Sequence, residues 1–263
     1  MPSLHDTPIP SSRLDGKVAI VTGASSGFGE RFSRVLADAG ATVVACARRL
    51  DRLEQLASEV DGIVATQCDV SCDDQLSDVV EFASSLPGDL AVLVNNAGSS
   101  DAVTRAEDED PAVFRRVVDV NLNACFVLAA MTATRMIERG TGGSIVNIGS
   151  VHGFVSASPN HQAAYVASKG AIHTLTKELA AQWARHSIRV NTIAPGYFET
   201  ELTHLMFHGE AAAGGRRYIE SGTYLRRAGI EGELDGALLL LATDLGSYIT
   251  GQTITVDGGW TSK

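Results

Sequence analysis

The chain has 263 residues, 44% hydrophobic and 20% charged, with 26 glycines and seven prolines. That composition excludes disorder and can fill the core of one large domain or two small ones. With 21 basic and 31 acidic residues, the formal charge of -10 argues against gripping nucleic-acid phosphates or an anionic membrane surface.

Residues 1–12 are polar, with no basic stretch leading into an apolar core; they read as a flexible extension and not as a signal peptide. Val18–Val21 is the first apolar run of strand length, and a glycine-rich turn follows it. Phe28, Phe32, Val35, Leu36 and Ala39 then mark one face of a helix that Gly40 ends. Further strand-like runs are Thr42–Ala45, Ile63–Thr66, Leu90–Val94, Ser144–Ile148, Ile188–Ile193 and Thr253–Val256. Strands alternating with helical segments predict βαβ units. The expected fold class is α/β, a Rossmann-type doubly wound parallel sheet of about seven strands with helices on both faces. No linker or repeat divides the chain, so residues 13–263 are expected to form a single domain, with residues 196–229 as an insertion over the sheet. No run reaches ~18 consecutive apolar residues, so no membrane span is expected. The four cysteines, Cys46, Cys68, Cys72 and Cys125, lack zinc-site spacing and read as thiols in a reducing compartment, which suits a cytoplasmic protein.

The turn reads Thr22-Gly23-Ala24-Ser25-Ser26-Gly27-Phe28-Gly29. Glycines between a first strand and a first helix permit a tight turn and a close approach of backbone to a pyrophosphate, and the helix N-terminus attracts the anion. An acidic residue at the end of the second strand would favour NAD by bonding the ribose 2′-hydroxyl. The chain has Ala45-Cys46-Ala47-Arg48-Arg49 there. Arginine suits a 2′-phosphate, so NADP is favoured over NAD, with Arg48 ranked ahead of Arg49. Ser26 adds no positive charge to that site.

Four further signatures follow in order: Asn95-Asn96-Ala97-Gly98, Asn121, Ser150 and Tyr165-Val166-Ala167-Ser168-Lys169. With the glycine turn, they make the chain resemble the short-chain dehydrogenase/reductase family in its compact form, from about Leu14 to Trp260. The resemblance implies a catalytic quartet of Asn121, Ser150, Tyr165 and Lys169. Tyr165 and Lys169 stand one helical turn apart on one face. A free phenol ionises near pH 10; bringing it down to about 7 takes roughly 4 kcal/mol of differential interaction, which a nearby ammonium and a nicotinamide cation are expected to supply. Tyr165 would then give or take the proton at the substrate oxygen that Ser150 holds. The gap from Ser150 to Tyr165 is 15 residues, against the 13 common in the family. Asn121 falls on a stripe with Phe114, Val118, Cys125 and Ala129, whereas Asn123 lies off it. A buried amide there must be bonded; the resemblance adds that it holds a water beside Lys169.

The resemblance also implies that Asp69 and Val70 flank the adenine, that Asn95, Ala97 and Gly98 wall the adenine ribose, and that Pro195, Gly196, Phe198 and Thr200 meet the nicotinamide. Phe207, His208, Tyr218 and Tyr224 are candidates for the substrate pocket. His204 and His208 are four apart but have no third ligand in register, so no metal is expected. The expected activity is hydride transfer between NADP, with NAD as second choice, and a small carbonyl or secondary alcohol, with sugar-type substrates preferred. A silent nucleotide-binding module on the same fold is the alternative. The pattern Tyr248-Ile249-Thr250-Gly251-Gln252 and the apolar helices Pro111 to Arg139 and Gln162 to Arg185 resemble those of family homotetramers.

Overall fold

The computed structural model describes residues 9–208 and 212–262. The expected extension lies outside the described residues up to position 8; residues 9–12 are exposed and carry no regular structure.

The seven apolar runs form seven strands: β1 (Lys17–Thr22), β2 (Thr42–Ala47), β3 (Ile63–Gln67), β4 (Asp89–Asn95), β5 (Gly143–Ile148), β6 (Ile188–Pro195) and β7 (Thr253–Val256). They pair in parallel in the order β3-β2-β1-β4-β5-β6-β7. The direction of winding reverses between β1 and β4, where an open α/β sheet parts its crossover loops into a crevice at the carboxyl ends of the strands. β1 is buried from Val18 to Val21 because helices cover both of its faces.

The helices are α1 (Gly27–Asp38), α2 (Leu50–Glu59), α3 (Asp73–Ser85), α4 (Pro111–Val118), α5 (Ala124–Arg139), α6 (Ala163–Trp183), α7 (His204–Phe207), α8 (Ala212–Gly222) and α9 (Asp235–Ala242). On one face Phe32 and Leu36 of α1, Leu53 of α2 and Leu238 of α9 pack against Ala19, Val21 and Val43. On the other, Leu76 of α3, Leu128 of α5 and Leu179 of α6 pack against Val18, Ile20 and Leu93.

The helical stretch Pro111–Arg139 is long and apolar enough to cross a membrane by length and composition, although no uninterrupted apolar run signals it. Its inner side lies on the sheet, with Leu128, Ala129, Ala133 and Met136 buried. The stripe expected along it holds after Asn121 but not before. Phe114 is exposed and Val118 only half-buried, while Val117 is buried. A π-helical turn, Asp119–Asn123, adds a residue to the turn and rotates the upstream helix out of register.

The segment expected as an insertion is clipped at its two ends: Phe198 bridges Gly229 in parallel, and the Gly229 N–H donates to the Tyr197 carbonyl at 2.9 Å.

Candidate active site

The glycine turn is held by backbone contacts. Gly23 has φ +66°, and a Cβ there would stand 2.9 Å from the Ala97 Cα. A Cβ on Gly29 would meet the Gly23 carbonyl oxygen at 2.3 Å, so α1 can approach the turn only without a side chain at that position. The Asn96 and Ala97 N–H groups donate to Thr22 Oγ1 at 3.0 and 2.9 Å, and Asn96 Nδ2 donates to the Thr22 carbonyl at 2.9 Å. The turn after β1 and the turn after β4 therefore form one wall.

That wall borders a cleft of about 640 Å³ at the carboxyl edge of the sheet. Gly23, Ser25, Ser26, Gly27 and Phe28 line one end; Ser150, Tyr165 and Lys169 line the other. Arg48, Arg49, Asp69 and Val70 border it, as do Ala97 and Gly98, and Pro195, Gly196, Phe198 and Thr200. Two residues expected at the cofactor do not line it. Gly29 lies beneath the turn. Asn95 spends its amide between strands, donating to Asn147 Oδ1 at 3.0 Å and to the Cys125 carbonyl at 3.3 Å; Asn96 lines the cleft in its place.

The arginine ranked second is the one on the turn. Arg49 Nε donates to Ser25 Oγ at 3.2 Å and Arg49 Nη2 to Ser26 Oγ at 2.9 Å. Arg48 is exposed at the rim, and its carbonyl accepts from Gln67 Nε2 at 2.9 Å. The Asp69 carboxylate accepts from the Ser71 N–H and hydroxyl at 3.0 and 2.7 Å; these bonds hold it below the usual carboxylate range, with a smaller pull from Arg48.

α6 presents Tyr165 and Lys169 to the cleft. Lys169 is buried, and its Nζ donates to the Ile148 carbonyl at 2.7 Å and stands 5.7 Å from the centre of the Tyr165 ring. Burial lowers the Lys169 pKa to about 8. Burial also raises the Tyr165 phenol, and a hydrogen bond with Ser150 opposes that rise. The expected acidification by the ammonium does not appear in the Tyr165 phenol, whose pKa desolvation raises. Ser150 lies two residues past the end of β5, and its Oγ accepts from the His152 N–H at 3.1 Å.

Asn121 lies in the π turn, and its amide is fully engaged. The Ser99 N–H donates to Asn121 Oδ1 at 2.8 Å; Asn121 Nδ2 donates to the Ser99 carbonyl and to Ser168 Oγ, both at 2.9 Å. A Cβ on Gly98 would stand 3.4 Å from Asn121 Oδ1 and 3.6 Å from Lys169 Nζ, which places the two side chains around one glycine.

Several residues of the site carry no mark in the sequence. The buried Asp101 carboxylate accepts from the Ala164 and Tyr165 N–H groups, each at 3.2 Å, and so caps the helix that carries the phenol. The Thr104 N–H donates to the His161 carbonyl at 3.0 Å, which ties down the long connection from Ser150 to Tyr165. Outside the residues that line the cleft, Tyr197 pairs its hydroxyl with His152 Nε2 at 3.0 Å and meets Trp260 edge-on at 4.7 Å. Phe207 is buried beside Tyr197, Tyr218 donates its hydroxyl to the Ser158 carbonyl at 3.0 Å, and Tyr224 points to the surface and bonds the Ser262 carbonyl at 2.9 Å. The rings of His204 and His208 stack at 4.2 Å, and His208 pairs with Glu199. No group of three or more His, Cys, Asp or Glu able to hold a metal is present among the described residues.

A family model described as short chain dehydrogenase matches residues 17–211. Galactitol 2-dehydrogenase (L-tagatose-forming) of Cereibacter sphaeroides is 37% identical, over 95% of this chain and 96% of its own. A 3-oxoacyl-[acyl-carrier-protein] reductase of Thermotoga maritima is 38% identical, over 94% and 98%. The crystal structure of a gluconate 5-dehydrogenase from Burkholderia cenocepacia, in complex with NADP and tartrate, superposes with a TM-score of 0.88 at 34% identity, covering 97% of this chain and 98% of that one. A doubly wound sheet, a glycine turn at its switch point and a Tyr-Lys pair facing that turn across one cleft agree with these matches, and the chain belongs to the short-chain dehydrogenase family.

Proposed function

We propose that the protein transfers hydride between NADP and a small carbonyl or secondary alcohol of the polyol or sugar-acid class, with Tyr165 as acid and base. The observation that carries this reading is the shared cleft, with the glycine turn at one end and Ser150, Tyr165 and Lys169 at the other. The residues present fit a dinucleotide. Gly29 lets α1 close on the turn, and Arg49 stands over Ser25 and Ser26, where a ribose phosphate would lie. When bound, the cofactor supplies or accepts the hydride, and the protein contributes position and charge.

Ser150 orients the substrate oxygen by hydrogen bonding. Burial raises the Tyr165 pKa, so the phenol keeps its proton and can give it to a carbonyl oxygen. Lys169, fixed on the Ile148 carbonyl, stabilises the phenolate left behind. The Asn121 amide is committed to Ser99 and Ser168, so a role in proton relay falls to its main chain in the π turn. The silent-module alternative has no support from a site that keeps all four residues. The polyol or sugar-acid class is supported by relatives named for galactitol and gluconate. Exposed Phe114 and Phe126 on α4 and α5 support pairing of these helices between subunits of a homotetramer, which light scattering measures. A cytoplasmic location accords with the free thiols.

Turnover with keto sugars, polyols and sugar acids, followed by the near-ultraviolet absorbance of reduced nicotinamide, tests the reading. Tyr165→Phe is expected to lower kcat by about 10²- to 10⁴-fold while nucleotide affinity stays within about twofold. Undiminished turnover in that variant would sink the acid–base assignment.

A further inference from the structure

Glu201 follows Thr200 in the segment that crosses the cleft, and Thr200 lies against the glycine turn, its Cβ 3.7 Å from where a Cβ on Gly27 would stand. The Glu201 carboxylate reaches back 152 positions to Arg49, accepting from Nη1 at 3.2 Å and from Nη2 at 2.9 Å. Arg52 Nη1 donates to it at 2.5 Å and Ser26 Oγ at 3.0 Å. Arg49 holds Ser25 and Ser26 at the same time. A carboxylate thus occupies a nest of two guanidinium groups and a hydroxyl on the turn itself, and these are the donors that a phosphate monoester takes. Arg49 and Arg52 hold the Glu201 carboxyl well down, at about 2, so it is an anion at every working pH.

We propose that Glu201 is a built-in stand-in for the 2′-phosphate of the cofactor, a latch that a 2′-phosphorylated nucleotide must displace and that a nucleotide without that phosphate leaves closed. The proposal rests on the cofactor reading above. Displacement exchanges one anion for another on the same donors, and both partners are about half exposed, so the exchange is affordable. It also breaks the two ion pairs that tie Glu201 to Arg49 and Arg52, while Phe198 on Phe28 and Thr200 at Gly27 keep the segment against the turn. The latch therefore makes Glu201 a specificity-determining residue. It weakens NADP binding below what the arginines alone would give.

The test is calorimetric titration of the full chain and of Glu201→Gln with NADPH, NADH, adenosine 2′,5′-bisphosphate and adenosine 5′-monophosphate. Glu201→Gln is expected to tighten the two 2′-phosphorylated ligands by about threefold to tenfold and to leave the other two within about twofold. Adding Arg49→Ala should abolish that gain. Glu199→Gln removes a neighbouring charge that is paired with His208, not with Arg49, and should leave all four affinities within about twofold. The latch is overturned if Glu201→Gln leaves NADPH binding unchanged, if it tightens NADH equally, or if Glu199→Gln reproduces its effect. An unaltered chain that prefers NADH, with Glu201→Gln shifting preference toward NADPH, would support the latch while overturning the NADP reading. NADPH preference that depends on Arg49 but not on Glu201 would do the reverse.

Discussion

The two ends of the cleft are built in different ways. At the glycine turn the parts come from short, contiguous stretches, and main-chain geometry does the positioning: Gly29 against the Gly23 carbonyl, Ala97 against Gly23, Thr22 Oγ1 under two N–H groups. Beyond Ser150 the parts come from far apart in the chain, and side chains do the positioning: Tyr197 on His152, Tyr218 on Ser158, Trp260 edge-on to Tyr197. A nucleotide is the same molecule in every relative that uses it, so a backbone cradle can serve all of them. Substrates differ, and side chains can be exchanged without moving the sheet.

The largest effect that would sharpen this contrast is expected at Gly29. The position has no positive φ, so any penalty for Gly29→Ala comes from contact alone. A methyl group 2.3 Å from the Gly23 oxygen and 2.5 Å from Asn96 Nδ2 must displace the turn. A cost of about 3 kcal/mol is expected in denaturant unfolding, together with at least about a tenfold loss of nucleotide affinity. A neutral Gly29→Ala would break the claim that backbone approach builds this end.

A second effect belongs to the floor between the two ends. The His173 ring is buried beneath Gly149 and Gly153, and neither ring nitrogen has a hydrogen-bond partner among the described residues. Burial lowers its pKa to about 4, with Lys169 and Lys177 adding repulsion. The folded state therefore holds this imidazole neutral where the unfolded chain would protonate it. Its contribution to stability is complete above pH 6.5 and is lost progressively as pH falls from there to about 4, by about 3 kcal/mol. His173→Leu should thus lose about 3 kcal/mol less than the parent chain across that window, measured by urea unfolding at each pH. Parallel curves would show that His173 does not set the acid limit.

How much of the site was legible follows the same division. The seven strands were readable because buried parallel strands are near-continuous apolar runs, and the glycine turn because its parts are adjacent. Tyr165 and Lys169 were readable because helical periodicity puts them on one face. The stripe through Phe114 and Val118 misled because a π turn is a one-residue change of phase that apolar periodicity does not announce. Asp101 and Glu201 were invisible for another reason. Their partners lie 63 to 64 and 149 to 175 positions away, and an acidic residue in a loop reads as solvated until the fold brings a helix end or an arginine to it.

The smallest expected effect lies on the substrate side. Tyr197→Phe keeps the ring against Trp260 and removes only the hydroxyl that pairs with His152 Nε2. His152 is buried two residues after Ser150, and burial keeps its pKa below the ordinary range, so it remains neutral and needs a neutral partner. Losing that partner should cost about 1 kcal/mol. If side chains set substrate recognition here, the loss falls on KM, which should rise about threefold to tenfold while nucleotide affinity stays within about twofold. A drop in nucleotide affinity with KM unchanged would mean that Tyr197 serves the turn through Phe198 and not the substrate, and that the two ends are less separate than their construction suggests.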